Sequence, residues 1–163
     1  MAETKEDRTE AATRYLDEQQ VAYEVVEHPE RFTAAGEARA AGIEPADAAK
    51  DILLRTDGSY ILAVIPASER LDIRKVRDRL SAEGEIRLAT EDEIAADFSG
   101  FELGALPPFG PVLGGAAQIV DRRLLDHERV LCNGGDHRHS LMVDPNEIVR
   151  VTEARVEDIC QDE

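Results

Sequence analysis

The sequence predicts an α+β fold, a single domain in which a mixed, largely antiparallel sheet curls toward a barrel and packs against helices. Its 163 residues fit one hydrophobic core. Two apolar runs, at 50–55 and 60–65, flank a Thr-Asp-Gly-Ser turn, and Asp-Gly between such runs is typical of a β-hairpin. Helical and strand patterns are interspersed with hairpins, which favours antiparallel pairing over a series of parallel βαβ units.

Residues 1–20 predict an N-terminal amphipathic helix that Thr4 can cap. Four apolar residues recur there at helical spacing on one face: Ala11, Ala12, Tyr15 and Leu16. The elements predicted after it are a strand at 21–27, a helix at 33–41, the hairpin strands, a helix at 71–80, a strand at 86–88, a helix with a capping box at 90–98, strands at 117–120, 129–132 and 140–143, a helix at 145–149 and an acidic tail at 153–163.

The segment 100–115 interrupts this regular pattern. It holds five glycines and three prolines. It also keeps six large apolar residues: Phe101, Leu103, Leu106, Phe109, Val112 and Leu113. A structureless linker would be more polar, and loops of this length inside a compact domain are usually functional. We therefore predict an ordered binding loop, called the glycine-proline loop below.

Acidic residues dominate the composition. The chain has 35 Asp and Glu against 19 Lys and Arg, a net charge of −16 and a pI near 4.6. Self-repulsion on this scale loosens a fold unless salt screens it, which favours a halophilic protein in a salt-rich cytoplasm. The carboxylates are spread along the chain, so they predict a solvated acidic surface rather than an acidic binding arm.

The sequence also disfavours several locations and chemistries. Cys132 and Cys160 are far apart and lack metal-ligand spacing, so we expect free thiols in a reducing, cytoplasmic compartment. The N-terminus has no apolar signal region, and no stretch reaches about 18 uninterrupted apolar residues, so neither export nor membrane insertion is expected. Dinucleotide-binding, P-loop and nucleophile-elbow motifs are absent, which disfavours nucleotide-dependent and α/β-hydrolase chemistry.

Lys50 is the residue that most strongly indicates a site. It is one of three lysines in the chain and stands between Ala49 and the apolar run 52–54. An ammonium is costly to hold beside a strand that enters the core unless it has a partner or a task. We therefore treat Lys50 as a candidate functional residue.

Two other clusters have competing interpretations. Five basic residues crowd the helix at 71–80 and its start: Arg70, Arg74, Lys75, Arg77 and Arg79. They form either ion pairs on a solvated helix, which we favour, or a phosphate-binding patch.

The Asp-His-Arg-His sequence at 136–139 suggests a metal site, with His28, His127 or Cys132 as a further ligand. Alternate strand residues point to opposite faces and a full ligand set is absent, so we expect no metal and place His137 beside a pocket.

Five segments together resemble a known family. They are Tyr-Glu-Val-Val-Glu-His-Pro at 23–29, Ala-Lys-Asp-Ile-Leu-Leu-Arg at 49–55 with its Asp-Gly turn, Ile-Leu-Ala-Val-Ile-Pro at 61–66, the glycine-proline loop, and Leu-Cys-Asn-Gly-Gly-Asp-His at 131–137. In order and spacing, residues 23–152 resemble the bacterial and archaeal YbaK-type proteins and the related editing domain of prolyl-tRNA synthetase. Those proteins are free-standing or appended aminoacyl-tRNA deacylases, and the resemblance implies a YbaK-like fold.

The resemblance also implies a reaction and a site. The reaction is hydrolysis of the ester between a wrongly attached amino acid and the terminal ribose of a tRNA, without a metal or another cofactor. The principal lysine of the family corresponds to Lys50, and its Gly-x-x-x-Pro loop corresponds to Gly104–Pro108. The predicted catalytic residues are Lys50, Gly104 and Ala105. The predicted substrate-binding residues are His28, Leu106, Pro107, Pro108, Phe109, Gly134, Gly135 and His137.

The chemistry of ester hydrolysis agrees with this assignment. It needs donors aimed at the oxygen that becomes negative, and the backbone amides of Gly104 and Ala105 can approach such an oxygen closely. The Lys50 ammonium would hold the terminal phosphate or the carbonyl oxygen as a point charge. No general base occupies the matching positions, so we expect the ribose hydroxyl or backbone groups to assist the attacking water.

The predicted partner is the aminoacyl-tRNA acceptor end, with an aminoacyl-tRNA synthetase as a candidate second partner. The acidic charge opposes RNA binding, but at molar salt the Debye length is only about 3 Å, so local contacts decide. Two alternatives stay open. One is a non-catalytic accessory module that binds tRNA or a synthetase, and the other is a small-molecule or metal hydrolase on the same fold.

Overall fold

The computed structural model describes residues 5–102 and 104–162. Thr4, the predicted helix cap, and Leu103 of the glycine-proline loop lie outside the described residues. The helices are α1 (Lys5–Glu18), α2 (Ala34–Ala40), α3 (Ile73–Leu80), α4 (Glu91–Asp97) and α5 (Pro145–Thr152). The strands are β1 (Tyr23–Glu27), β2 (Ala49–Thr56), β3 (Ser59–Pro66), β4 (Arg87–Leu88), β5 (Ala117–Asp121), β6 (Val130–Asn133), β7 (His139–Val143) and β8 (Arg155–Glu157). Short 3₁₀ turns span Pro45–Asp47, Gly110–Val112 and Arg122–Asp126.

The strands form two sheets. One is antiparallel with the order β1-β7-β6, and the other is mixed with the order β4-β2-β3-β5-β8. In the second sheet, β3 pairs with β5 and β5 with β8 in parallel, while β2 pairs antiparallel with β3 and β4. A bridge between Ala48 and Leu131 connects the start of β2 to β6. The predicted α+β class is therefore confirmed, with the strands shared between two sheets rather than lying in one.

The β2–β3 hairpin fixes which residues face each core. Thr56 pairs with Ser59, so the turn consists of Asp57 and Gly58, and Gly58 adopts a φ of +79° that suits glycine. Residues directly opposite each other on antiparallel strands share a face, whereas neighbours along one strand do not. The two faces of this hairpin therefore separate Lys50 from Asp51, the residue that follows it.

Two hydrophobic cores pack against these faces. The first core joins both sheets, α1, α5 and the glycine-proline loop, and it includes Leu16, Leu53, Val64, Phe109, Leu141 and Ile148. The second core lies between the hairpin, α3 and the C-terminal segment, and it includes Leu54, Ile65, Val76, Ile159 and Cys160. Both cores are built from side chains that are distant in sequence, so the fold brings the glycine-proline loop and β2 together.

The C-terminal segment belongs to the fold. The segment 153–163, expected as an acidic tail, adds β8 to the edge of the mixed sheet. Ile159 and Cys160 are fully buried in the second core. Backbone hydrogen bonds from Asp72 N to the Ile159 carbonyl and from Gln161 N to the Arg70 carbonyl, both 2.8 Å, hold the segment against the start of α3. The apolar residues within this acidic stretch provide the reason, because they complete the second core.

Further expectations concern the thiols and the membrane. Cys132 and Cys160 are free, as predicted, and both are buried. Burial raises the pKa of both thiols, which disfavours the reactive thiolate form. Among the helices in the described part of the chain, none is both long and apolar enough to span a bilayer.

Candidate functional site

The glycine-proline loop is an ordered part of the first core. Leu106 and Phe109 are buried, and the Phe109 ring lies 5.8 Å from the Tyr15 ring, centroid to centroid. The buried Gln118 side chain fastens the loop backbone: its Oε1 accepts from Gly110 N at 2.8 Å, and its Nε2 donates to the Pro108 carbonyl at 2.7 Å. Two residues predicted to bind substrate, Leu106 and Phe109, thus support the loop from its core side.

The two predicted oxyanion donors, Gly104 and Ala105, differ in what surrounds them. Gly104 has a φ of +82°, which favours glycine. A Cβ at that position would lie 3.6 Å from His137 Cε1 and 3.8 Å from the Phe32 carbonyl oxygen, so the Gly104 backbone adjoins both residues. The N–H of Ala105 donates to the Glu102 carbonyl at 3.0 Å and is used inside a turn. Gly104 is therefore better placed than Ala105 to donate a hydrogen bond to a substrate oxyanion.

His137 stands at the centre of the candidate site. Its side chain is only 6% exposed, and its Nδ1 lies 3.4 Å from Glu37 Oε1. Its Nε2 lies 3.9 Å from Glu102 Oε2, and its backbone N–H donates to the same oxygen at 3.1 Å. The ring meets Phe32 edge-on, with centroids 5.0 Å apart. His137, Glu37, Glu102, Phe32 and Gly104 form what we call the histidine cluster.

Two carboxyl groups on this side of the hairpin resist ionisation. Burial raises the pKa of Glu37 to about 8, and the nearby carboxylates of Asp51, Asp136 and Glu102 add to the rise. Burial also raises the pKa of Asp51 to about 8, although a 3.4 Å hydrogen bond from Asn133 Nδ2 opposes the shift. Asp51 Oδ1 has less than 1 Å² of exposed surface and no hydrogen-bond partner among the described residues. Both groups therefore keep their protons to a higher pH than exposed carboxyl groups do.

Gly134 and Gly135 shape the turn that presents His137. A Cβ on Gly134 would lie 2.9 Å from the His139 carbonyl oxygen, closer than real side chains approach. Gly135 has a φ of +107°, and its carbonyl accepts from Glu102 N at 3.0 Å. The buried Asp136 carboxylate closes the turn by accepting the backbone N–H of His139 at 2.8 Å. The two glycines, predicted to bind substrate, are thus placed where they position His137.

The two histidines of the turn have different partners. His139 Nδ1 lies 2.9 Å from Asp136 Oδ2, whereas the His137 ring nitrogens face Glu37 and Glu102. Within residues 5–102 and 104–162, no group of three or more His, Cys, Asp or Glu side chains is arranged to hold a metal ion.

His28 ties β1 to β7. Its Nδ1 lies 2.9 Å from the Pro29 carbonyl oxygen, and its Nε2 lies 2.8 Å from Ser140 Oγ. A carbonyl oxygen only accepts, so Nδ1 carries a proton and donates to Pro29, while Nε2 shares a hydrogen bond with the serine hydroxyl. Its backbone N–H donates to the Arg138 carbonyl at 3.0 Å. The structure thus places His28 in a supporting position below the turn that carries His137.

Lys50 lies on the other face of the hairpin. It pairs with Ile65 of the second core, whereas Asp51 pairs with Val64 of the first core, where the glycine-proline loop packs. The half-buried amine donates to the Glu69 carbonyl at 3.0 Å. Burial lowers the pKa of Lys50, although Cys160 opposes the shift. The structure thus brings together Gly104 and His137, but it places Lys50 on the opposite face of β2.

The basic residues of α3 form mainly internal contacts. Lys75 Nζ donates to Asp158 Oδ2 at 3.2 Å, to Asp162 Oδ1 at 2.8 Å and to the Cys160 carbonyl at 2.7 Å. Arg77 donates to the Gly84 carbonyl at 3.2 Å. These contacts favour the predicted ion-pair interpretation over a phosphate-binding patch.

Several site residues were missed in the sequence: Phe32, Glu37, Asp51, Glu102 and Asp136. Asp51 carried a usable signal, because it is an acid inside an apolar strand and directly follows Lys50. Asp136 follows two glycines in a segment already singled out. Glu37 and Glu102 gave no local signal, since their burial depends on how α2 and the glycine-proline loop pack around the 134–137 turn.

Comparison with known proteins identifies the family and agrees with the fold. Residues 28–151 match the aminoacyl-tRNA editing domain family. That match covers most of the chain, and the chain belongs to this family. It includes β2, the glycine-proline loop and the turn that carries His137, so all parts of the candidate site lie in the matched region. A search of curated proteins finds no match.

Solved structures show the same architecture. A protein proposed to be a trans-editing enzyme for prolyl-tRNA synthetase is 26% identical, with a TM-score of 0.81 over 95% of this chain and 98% of its own. A hypothetical protein is 23% identical, with a TM-score of 0.83 over 93% of this chain and 99% of its own. A proposed signal transduction protein from Marinobacter aquaeolei VT8 is 19% identical, and the match covers 93% of this chain but 30% of that protein, with a TM-score of 0.72. The last two likenesses concern the fold alone.

Proposed function

We propose that the chain is a trans-editing aminoacyl-tRNA deacylase, which hydrolyses the ester that joins a wrongly attached amino acid to the terminal ribose of a tRNA. The observation that carries the proposal is the approach of Gly104 to His137 inside the family-matched region. The structural neighbour proposed to act for prolyl-tRNA synthetase supports the same reading. The partner is then the acceptor end of an aminoacyl-tRNA, and a synthetase is a candidate second partner.

The histidine cluster suits a reaction in which negative charge develops on a carbonyl oxygen. The backbone amide of Gly104 is the candidate donor to that oxygen, because the absence of a side chain lets a ligand approach. Glu37, whose pKa burial raises to about 8, lies 3.4 Å from His137 Nδ1 and supports the ring beside that oxygen. This arrangement contains acids that hold protons near neutral pH, so we assign the activation of water to the ribose hydroxyl of the substrate.

Lys50 has a separate role in this proposal. An ammonium has three donors, and the Glu69 carbonyl takes one of them. The remaining donors are available to a phosphate of the acceptor end, where a point charge is sufficient. We therefore propose that Lys50 holds the RNA in register from the second-core side of β2, while the histidine cluster surrounds the ester.

Release of labelled amino acid from a panel of mischarged tRNAs in high salt tests the proposal. We expect Lys50→Ala to lower deacylation by about 10²–10³-fold, equivalent to roughly 3–4 kcal/mol, with little change in folding stability. Arg14→Ala is a matched control, because it removes a cation from an exposed ion pair with Glu10 on α1.

Three results would contradict this proposal or part of it. Hydrolysis by Lys50→Ala at the wild-type rate would remove Lys50 from the mechanism. Tight binding of tRNA without hydrolysis of any mischarged substrate would favour the accessory module. Loss of activity on treatment with a chelator, restored by a divalent metal, would favour a metal hydrolase.

A further inference from the structure

An exposed aromatic residue adjoins the histidine cluster. Phe32 is 69% exposed, more than the other exposed large apolar residues of the described chain, Leu88 at 56% and Val25 at 44%. Its ring centroid lies 5.0 Å from that of His137, and its carbonyl oxygen lies 3.8 Å from a Cβ built on Gly104. An exposed aromatic ring beside a polar site offers a face on which a planar ligand group can stack.

The backbone around Phe32 is fixed on both sides. Arg31 N donates to the His137 carbonyl at 3.2 Å, which ties the segment to the 134–137 turn. Thr33 caps α2 directly after Phe32, because its hydroxyl accepts the Gly36 N–H at 2.9 Å. The ring is therefore presented from a tethered backbone, and little ordering would be needed when a ligand stacks on it.

Two arginines lie on the segments that carry Phe32 and His137. Arg31 directly precedes Phe32 and is exposed, and Arg138 directly follows His137 and is 55% exposed in its ion pair with Glu30. Both are exposed cations in a protein with a net charge of −16. Aromatic rings beside arginines are a common surface for an unpaired nucleic-acid base and its phosphate.

We propose that Phe32 is the platform on which the terminal adenine of the RNA acceptor end stacks. The inference rests on the proposed function. In an aminoacyl-tRNA only the ribose separates the terminal base from the ester that is cleaved. The surface that binds the base must therefore lie beside the backbone amide that hydrogen-bonds to the ester carbonyl. Phe32 meets this condition, since its carbonyl oxygen lies 3.8 Å from the position that a Cβ of Gly104 would occupy.

The absence of tryptophan from the chain permits a direct test. Phe32→Trp supplies a single indole, whose fluorescence is followed while an uncharged acceptor-stem RNA hairpin ending in CCA is added. We expect quenching with this RNA and at least about fivefold weaker binding by the same hairpin without its terminal adenosine. Leu88→Trp is the matched control, an exposed position on β4 where no quenching is expected. Equal binding of both hairpins to Phe32→Trp would overturn the proposal, as would the absence of quenching while a filter assay detects bound RNA.

Kinetics with a mischarged tRNA provide a second test. We expect Phe32→Ala to raise KM by about 5–100-fold with less than about a threefold change in kcat, and Phe32→Tyr to restore KM where Phe32→Leu does not. An unchanged KM for Phe32→Ala in an active enzyme would overturn the stacking role and leave the deacylase intact. Adenosine-dependent quenching by a protein that hydrolyses no substrate would support the platform and contradict the deacylase.

Discussion

Carboxyl groups near the two cores experience opposite environments. Beside the first core, Glu37 is buried near other acids and Asp51 has a buried carboxyl oxygen, and burial raises the pKa of each to about 8. Beside the second core, the hydrogen bond from Arg123 and the contact with Lys75 hold the pKa of Asp158 at about 2. The same kind of side chain is therefore harder to ionise in one region and easier to ionise in the other.

The comparison separates a site from a structural network. Asp158 is fully paired, with Arg123 and Lys75 at 3.0 and 3.2 Å, as expected where ion pairs hold a segment in place. Asp51 has one oxygen that meets no partner in the described part of the chain, and Glu37 Oε1 lies 3.4 Å from His137 Nδ1. Ionisable groups whose pKa is shifted without strengthening the fold are concentrated at functional sites. Asp51 and Glu37 both lie on the side of the hairpin that faces the glycine-proline loop.

The largest expected effect comes from neutralising Asp51. Its pKa is higher in the folded chain than in the unfolded chain, so the folded state binds more protons between about pH 4 and pH 8. The free energy of unfolding should therefore fall as the pH rises through this window. In Asp51→Asn we expect the part of this decrease that Asp51 causes to disappear. Above pH 8 the variant should be more stable than the wild type by on the order of a few kcal/mol. Urea denaturation from pH 4 to pH 9 measures both effects.

A matched variant separates this effect from net charge. Glu128→Gln also removes one carboxylate, but from an exposed position. It should leave the slope of stability against pH unchanged. Parallel pH profiles for the wild type and Asp51→Asn would show that Asp51 ionises normally, and the contrast between the two regions would be lost. Glu37→Gln extends the test to the second carboxyl group.

Local patterns made much of the fold predictable. The Asp57-Gly58 turn specifies the hairpin within a few residues, and the apolar side chains of the glycine-proline loop indicated that it is ordered. β8 was missed because its parallel pairing with β5 depends on tertiary packing, and three residues offer no clear period. Short-range signals therefore sufficed where neighbours in sequence are also neighbours in space.

The site was predicted less completely, for the same physical reason. Sequence patterns identified Gly104 and His137, and the structure brings them together. The face of Lys50 depends on the register of β2 against β3, and the use of the Ala105 N–H depends on one turn of the loop. Neither is encoded in residue type, and the burial of Glu37 requires three segments to meet.

A smaller effect is expected on the paired side, from Asp158→Asn. The pKa of Asp158 is lower in the folded chain than in the unfolded chain, so its contribution to stability is present above about pH 4 and is lost as the pH falls through about 2. We expect the variant to lose at most about 1 kcal/mol at pH 7, because Asp158 is near the surface, and to lose less in high salt.

Asp162→Asn is the control for that variant, since Asp162 contacts the same Lys75 at 2.8 Å but is 85% exposed. It makes the same change in net charge and should cost less stability, because solvent screens its pair more strongly. Denaturation at pH 7 and pH 2, each in low and molar salt, distinguishes the two variants. If Asp158→Asn were as stable as Asp162→Asn at pH 7 in low salt, the ion pairs of Asp158 would contribute nothing to folding. The two regions would then differ only in the ionisation of the first-core acids.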